Sequence, residues 1–353
     1  MHMPPPVHGA AMMGQYIHDS LMINQMFDCR YVNIATANNI NDIGQGGLKK
    51  IITFINKLKT IQKASAAFHP DLVYITPAAA GIALYKDYIM VQFLKRRCPN
   101  VVLHYHNKGV AQNSKKWYNR LLYKRLFCDV RVILLSELLY PDISSYVSQE
   151  RVMICPNGIP DSNCSLQKTK RGHKLQILFL SNLISSKGIL TLLDALVLMK
   201  NENIHCSIAG APGDISVSRL QTEIERRGIQ DMVTYHGATD ADQKLALFGQ
   251  TDIFAFPTEN DCFPLVLLEA MRSGVPCVTT DEGAIVDLVK DGQNGYIVEK
   301  QNAEKLAKKL QWLEVHKQER LQMGMAGRKM YERNYTVADF EKRICDILTM
   351  CAC

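Results

Sequence analysis

Two carboxylates stand eight positions apart in the stretch FAFPTENDCFPLVLLEAMRSGVPCVTT, numbered 254–280: Asp261 in a polar loop and Glu269 in the apolar run after it. At helical rise that spacing is about two turns, so one extended polar ligand can touch both. Carboxylates so placed can serve as a general acid and base, or can grip hydroxyl groups; on an exposed helix face Glu269 would be unremarkable. A cation, Lys187, precedes Gly188 in the turn Ser185-Ser186-Lys187-Gly188, where it can meet an anion or simply complement the turn. His8 lies in the Pro-rich loop ahead of a helical pattern that starts at Met12, and His106 follows an apolar run; by themselves both can be core or loop histidines with satisfied hydrogen bonds. Asp240-Ala241-Asp242 spells a metal-binding DxD, but Asp240 with Gln243 reads as a helix capping box.

The elements that must position these groups alternate. In 254–280 an apolar strand breaks at Pro257, a loop carries Glu259, Asn260 and Asp261, and Leu265–Met271 forms a helix closed by Gly274 and Pro276. A second short strand, Val275–Thr280, follows. Polar groups at the carboxyl end of a parallel strand are the usual layout of a ligand site in such sheets. Upstream, strands are expected at Tyr31–Ile34, Asp71–Thr76, Val101–Tyr105, Val130–Leu135 and Arg151–Cys155. Helices are expected over Met12–Met26, Leu48–Phe68 and Ala80–Arg97. Downstream, strands Leu175–Ser181, His205–Ala209 and Val233–His236 alternate with helices Ile189–Lys200, Ser216–Arg227 and Ala241–Gln250, and three late helices cover Ala303–Glu314, Gln318–Tyr335 and Val337–Met350. An α/β domain ordinarily opens on an apolar strand, yet little precedes the Pro4-Pro5-Pro6 loop, so the first strand is expected to be missing or only a stub. The Gly44–Gly47 run lacks a phosphate-loop pattern and reads as a connector.

At 353 residues the chain exceeds the size of one core. The boundaries fall at 1–160 for an N-terminal domain, 161–174 for a polar linker, 175–335 for a C-terminal domain, and 336–353 for a last helix expected to pack back on the first domain. Hydrophobic residues at 47% and charged at 21% are ordinary globular usage, without a membrane-spanning run or secretory leader, so a cytoplasmic protein is expected. Eleven cysteines without CxxC pairs or histidines at zinc spacing read as reduced thiols, with no metal site. The net charge of +7 is concentrated between Lys86 and Arg131. In Ser114–Phe127 cations alternate with Trp117, Tyr118, Leu121, Leu122, Leu126 and Phe127, as in a helix lying on anionic lipid, or in a surface helix whose apolar stripe faces its own core. No nucleic-acid partner is expected.

Taken together, the Pro-rich loop with His8-Gly9, His106, Ser136-Glu137, Pro156-Asn157-Gly158-Ile159, Lys187-Gly188, the Gly210–Asp214 turn, Gly237, Asp261 through Glu269-Ala270-Met271, Gly283, and Asp291-Gly292 with Asn294-Gly295 resemble the glycosyltransferases of family 4. The resemblance follows family order over nearly the whole chain. It implies an α/β fold of the GT-B kind, two doubly wound Rossmann-like parallel-sheet domains facing across a cleft. The implied activity is a retaining, metal-independent hexosyl transfer from a nucleotide-sugar to a saccharide or lipid-linked acceptor in cell-surface polysaccharide or lipopolysaccharide synthesis, with no cofactor and peripheral attachment at the inner membrane face.

The resemblance also assigns roles. Lys187 faces the donor diphosphate; the loop Cys262, Phe263, Pro264, Leu265 opens a helix that supplies N–H groups, Pro264 itself donating none. Glu269 accepts from ribose hydroxyls and Asp261 holds the donor sugar. Gly9 lies beside the diphosphate, and His8 and His106 near the acceptor. The implied catalytic set is His106, Lys187, Asp261 and Glu269. Two positions depart from the family pattern: Asp261 stands where the first Glu of a Glu-x7-Glu signature is usual, and Asn182 stands in place of an arginine, a donor-site position that keeps hydrogen bonding and loses a bidentate charge. A catalytically weak partner subunit of a transferase complex is the alternative that these departures leave open. A nicotinamide-dependent oxidoreductase is disfavoured because no GxGxxG follows the first strand.

Overall fold

The computed structural model describes residues 1–5, 8–35, 48–161, 174–199 and 201–352. The Gly44–Gly47 connector, residues 162–173 of the expected linker and Pro6 lie outside the described residues. The chain forms two compact units, the first comprising Met1–Gly158 with Val337–Cys353 and the second Ile159–Thr336. No described helix is long and apolar enough to cross a membrane.

In chain order the first unit contains α1 (Gly9–Asp19), α2 (Leu21–Met26), α3 (Leu48–Phe68), β1 (Leu72–Ile75), α4 (Gly81–Lys95), β2 (Asn100–His104), α5 (Val110–Asn113), α6 (Trp117–Leu126), β3 (Arg131–Leu134) and β4 (Val152–Ile154). The four strands form one sheet in the order β1-β2-β3-β4, every pairing parallel. Parallel strands joined through helices are covered on both faces and read as continuous apolar runs; Val101, Val102, Leu103, Val132 and Ile133 are accordingly buried.

Three expectations change here. The single helix expected over Met12–Met26 begins earlier, where the His8 side chain accepts from the Ala11 N–H at 3.3 Å, and it breaks at Ser20, whose hydroxyl caps α2 through Ile23 N at 3.2 Å. The strand expected at Tyr31–Ile34 joins no sheet among the described residues, because its backbone partner is Met1 alone rather than a neighbouring strand. The basic stretch Ser114–Phe127 is helical only from Trp117, after the separate turn α5.

The second unit contains β5 (Leu175–Leu180), α7 (Ile189–Met199), β6 (Ile204–Ala209), α8 (Val217–Arg226), β7 (Val233–Tyr235), α9 (Ala241–Gln250), β8 (Ile253–Phe256), α10 (Leu265–Arg272), β9 (Cys277–Thr280), α11 (Ile285–Leu288), β10 (Gly295–Val298), α12 (Ala303–Val315) and α13 (Lys317–Asn334). The last helix, α14 (Val337–Ala352), belongs to the first unit, where it packs on α1, α2, β1 and β2. The second sheet runs β10-β9-β8-β5-β6-β7, again parallel throughout. Phe179, Phe254 and Phe256 are fully buried at its centre, each worth about 1.5–3 kcal/mol relative to exposure. Asp240 and Gln243 make the reciprocal capping box at the start of α9, so the DxD is a helix cap.

Candidate functional site

From β5 the second sheet grows outward through β6 and β7 on one side, and then through β8, β9 and β10 on the other. The reversal falls between β5 and β8, and in open α/β sheets the loops leaving the carboxyl ends of such a strand pair flank a ligand crevice. The β5 loop supplies Asn182 and Lys187, and the β8 loop supplies Asp261. Gly188 adopts a φ of 81°, and a Cβ there would stand 1.9 Å from the Pro257 carbonyl oxygen, so the close approach of the two loops requires glycine. Lys187 Nζ donates to Asp261 Oδ2 at 2.6 Å and to the Asn260 carbonyl at 3.0 Å. Both side chains are about four-fifths buried, 19% and 18% exposed, so this is a sheltered ion pair rather than a surface one.

The loop is held from beneath. Asp261 Oδ1 accepts from the Cys262 N–H at 2.8 Å, and Glu282, just past β9, accepts from the Asp261 N–H at 3.4 Å while bonding Lys300 through its other oxygen. Gly283, at φ 58°, brings its backbone to the Asp261 carbonyl, which an added Cβ would meet at 2.5 Å. Cys262, Phe263 and Pro264 are buried, with the Phe263 ring set edge-on to Tyr335 at 6.1 Å. What this loop offers a ligand is therefore backbone. Pro264 occupies the N-cap of α10 without a side-chain capping bond; the Leu267 N–H donates to the Pro264 carbonyl at 3.2 Å, which leaves the N–H groups of Leu265 and Val266 for another acceptor. Glu269 lies one turn further along α10. Its Oε1 accepts from Lys244 of α9 at 3.3 Å, whereas Oε2 is buried and has no hydrogen-bond partner among the described residues.

The first unit gathers a different set. His106, beyond β2, lies with its ring centroid 4.1 Å from that of His104, the planes tilted by 38°, and His104 Nδ1 meets the Tyr74 hydroxyl at 2.6 Å. Burial pushes His106 down to about 3, neighbouring His8 acts in the same direction and Asn157 opposes. Both His106 ring nitrogens, His104 Nε2 and Asn157 Oδ1 are buried without hydrogen bonds of ordinary geometry. Burial also lowers His8, which caps α1 through Nδ1, and Gly9 is the first residue of that helix. The cluster is a set of imidazoles that burial holds toward the neutral form.

The structure thus brings Lys187, Asp261, Glu269 and the Cys262–Leu265 loop into one unit, with Asn182 in the turn after β5, its carbonyl accepting from Ile184 N at 2.7 Å. His8, Gly9 and His106 belong to the other unit. Lys244, Glu282 and Lys300, which hold the two acids in place, escape sequence reasoning. Glu282 carried a usable signal, since it follows a buried strand next to β8, while Lys244 and Lys300 look like ordinary surface lysines. Among the described residues no group of three or more His, Cys, Asp or Glu is placed to hold a metal ion.

Comparison with known proteins shows what this arrangement is similar to. Residues 165–330 match the model for glycosyl transferases group 1. The capsular polysaccharide biosynthesis glycosyltransferase CapM of Staphylococcus aureus is 24% identical over 315 residues, covering 82% of this chain and 80% of CapM. Other curated relatives are matched over 31% to 63% of their own length. Among solved structures, sucrose-phosphate synthase of Thermosynechococcus elongatus superposes with a TM-score of 0.74 at 16% identity, covering 91% of this chain and 83% of that one. HepE of Anabaena, in complex with UDP, superposes at 0.70 and 20%, covering 84% and 82%. These likenesses establish the GT-B fold, two parallel-sheet α/β domains of four and six strands. Over residues 165–330 the chain is similar to the group 1 glycosyl transferases.

Proposed function

We propose that this protein transfers a hexosyl group, with retention at the anomeric carbon, from a nucleotide-sugar to a saccharide or lipid-linked acceptor in cell-surface polysaccharide synthesis. The observation that carries the reading is the Lys187–Asp261 pair at the β5/β8 reversal, beside the uncapped first turn of α10 and the half-satisfied carboxylate of Glu269. A nucleoside diphosphate offers each of these a partner. Its phosphates take Lys187 and the α10 N–H groups, its ribose hydroxyls donate to Glu269 Oε2, and Asp261, once released from Lys187, accepts from the sugar.

The chemistry then needs no protein nucleophile. The bond from the anomeric carbon to the phosphate oxygen breaks, its electron pair stays on the diphosphate, and the acceptor oxygen bonds to the same face of the sugar. The acceptor proton passes to the departing phosphate oxygen. The developing negative charge is met by Lys187 and oriented amides, which stabilise a transition state because they are fixed in place beforehand. His106, held neutral by burial, has ring nitrogens free to bond a sugar hydroxyl. HepE has been solved with UDP-glucose and CapM is named for capsular polysaccharide biosynthesis, which supports the donor and acceptor classes.

We also assign α6 a lipid contact at the cytoplasmic membrane face. Trp117, Tyr118 and Leu121 are exposed there beside Lys115, Lys116, Arg120, Lys124 and Arg125, whereas Tyr123, Leu126 and Phe127 face the core. Of the two uses a basic amphipathic helix can have, this one keeps an apolar face in water that anionic lipid would cover. The test of the catalytic reading is calorimetry with UDP and with GDP, followed by a donor-hydrolysis assay. Binding of either nucleotide is expected, and absence of heat at millimolar concentrations of both would leave the non-catalytic partner subunit as the better account.

A further inference from the structure

Lys244 lies in the first turn of α9, which the capping box of Asp240 and Gln243 fixes in place, and its backbone N–H donates to the Asp240 carbonyl at 3.0 Å. Its ammonium reaches across to α10 and donates to Glu269 Oε1 at 3.3 Å. That nitrogen has no other hydrogen bond among the described residues, and the side chain is 31% exposed against 17% for Glu269. An ammonium carries three donors and no acceptor, whereas a carboxylate only accepts. Lys244 therefore keeps two N–H groups for another partner, and Glu269 keeps Oε2, which is buried without one among the described residues.

To a ligand the two residues present a donor and an acceptor held side by side. A vicinal diol is their complement, since each of its hydroxyls can donate one bond and accept another. Glu269 stands four residues, about 6 Å of helix rise, beyond Leu265, whose N–H is open to a phosphate. A nucleotide bridges such a span from its phosphate to its ribose diol. For Glu269 to grip both hydroxyls by itself, Lys244 must give up Oε1, which leaves a sheltered ammonium without its counter-charge. Sharing the diol between the two side chains keeps both charges paired.

We propose that Lys244 is a specificity-determining residue of the donor site: one ribose hydroxyl donates to Glu269 Oε2, and its neighbour accepts from Lys244 Nζ while the ion pair stays closed. The pair then selects ribonucleotides over deoxyribonucleotides, because a missing hydroxyl leaves one charged group without the partner that displaces its water. Of the two ion pairs at the site, only that of Lys187 and Asp261 has to open for the donor. The inference rests on the nucleotide-sugar reading and deepens it by naming what distinguishes the nucleoside.

Calorimetry on the full chain tests this with whichever of UDP and GDP binds, together with the 2′-deoxy and 3′-deoxy forms of that nucleotide. The unaltered chain is expected to bind each deoxy form about tenfold more weakly or worse. Lys244→Met is expected to bind the ribonucleotide about tenfold more weakly and to lose the penalty for one deoxy form only. Glu269→Ala loses the penalty for the other, and Lys244→Arg keeps both. Because ratios are read within each variant, a general loosening that weakens all three nucleotides alike is told apart, and it overturns the proposal. So does tighter binding by Lys244→Met, which makes the lysine a counter-ion that the ribose displaces, or loss in that variant of both penalties or of neither. If the unaltered chain binds neither UDP nor GDP, the transferase reading falls and this inference with it; each of the other failures leaves that reading standing.

Discussion

The two units meet the problem of burying polar groups in opposite ways. In the second unit three acids at and beneath the site are matched by cations: Asp261 by Lys187, Glu269 by Lys244 and Glu282 by Lys300. In the first unit His104 Nε2, both ring nitrogens of His106 and Asn157 Oδ1 are buried without a hydrogen bond of ordinary geometry among the described residues, while His104 Nδ1 meets the Tyr74 hydroxyl. A ligand entering the second unit must exchange partners, and its net gain is the difference between two sets of charge-assisted bonds. A ligand reaching the first unit fills vacancies, each of which costs about 1–3 kcal/mol while open. The first unit is therefore suited to discriminating hydroxyl patterns, and the second to holding a strongly charged group that can outbid an existing ion pair.

The largest effect that would sharpen this contrast is at Glu269. Glu269→Ala is expected to lower transfer by about 1,000-fold while the melting temperature stays within a few degrees, since one carboxylate oxygen is already unpartnered. Full activity in that variant would remove the second unit's exchange logic. Next, replacing Lys115, Lys116, Lys124 and Arg125 together by Ser is expected to weaken binding to anionic vesicles on the order of 100-fold and to spare transfer to a soluble acceptor. Unchanged sedimentation with vesicles would count against a lipid role for α6.

The neutral histidines predict an acid sensitivity. His2 and His106 are both lowered by burial to about 3 from an ordinary value of 6.5. Between those limits the unfolded chain binds protons that the folded chain refuses, so stability is whole above about pH 6.5 and declines steadily toward pH 3. Urea midpoints measured at pH 7.5 and pH 5 should therefore fall, and His106→Asn should flatten the fall. An unchanged midpoint would mean that these rings are wetter than their burial indicates. The smallest effect belongs to Asp261→Glu, expected to keep activity within about threefold because the charge opposite Lys187 is retained; abolished activity would show that the short reach of Asp261 is essential.

How much of this was legible depended on whether the governing interaction is local. Buried parallel strands such as Leu175–Leu180 stand out as apolar runs, and the capping box at Asp240 is written within four residues. β10 was missed, because a four-residue strand beginning with Gly295 beside an Asp-Gly turn resembles loop chemistry. Ser20 looked like an ordinary helix residue until its hydroxyl was seen to cap α2. The acids Asp261 and Glu269 were visible from type and spacing, but their cations were not. Lys244 and Lys300 become partners only because separate elements fold against the site, a relation that no local pattern encodes. The burial that lowers His106 is likewise a property of packing, not of neighbours in sequence.

One small contact near the end of the chain bears on biosynthesis. Ile159 and Thr336 form an isolated parallel bridge, supported by the Ile159 N–H to the Tyr335 carbonyl at 3.0 Å and the Tyr331 hydroxyl to the Ile159 carbonyl at 3.0 Å. The second unit is thus a closed insertion whose entry and exit are stitched side by side. On a ribosome this insertion is finished before α14 emerges, while the first unit must wait for that helix to cover β1 and β2.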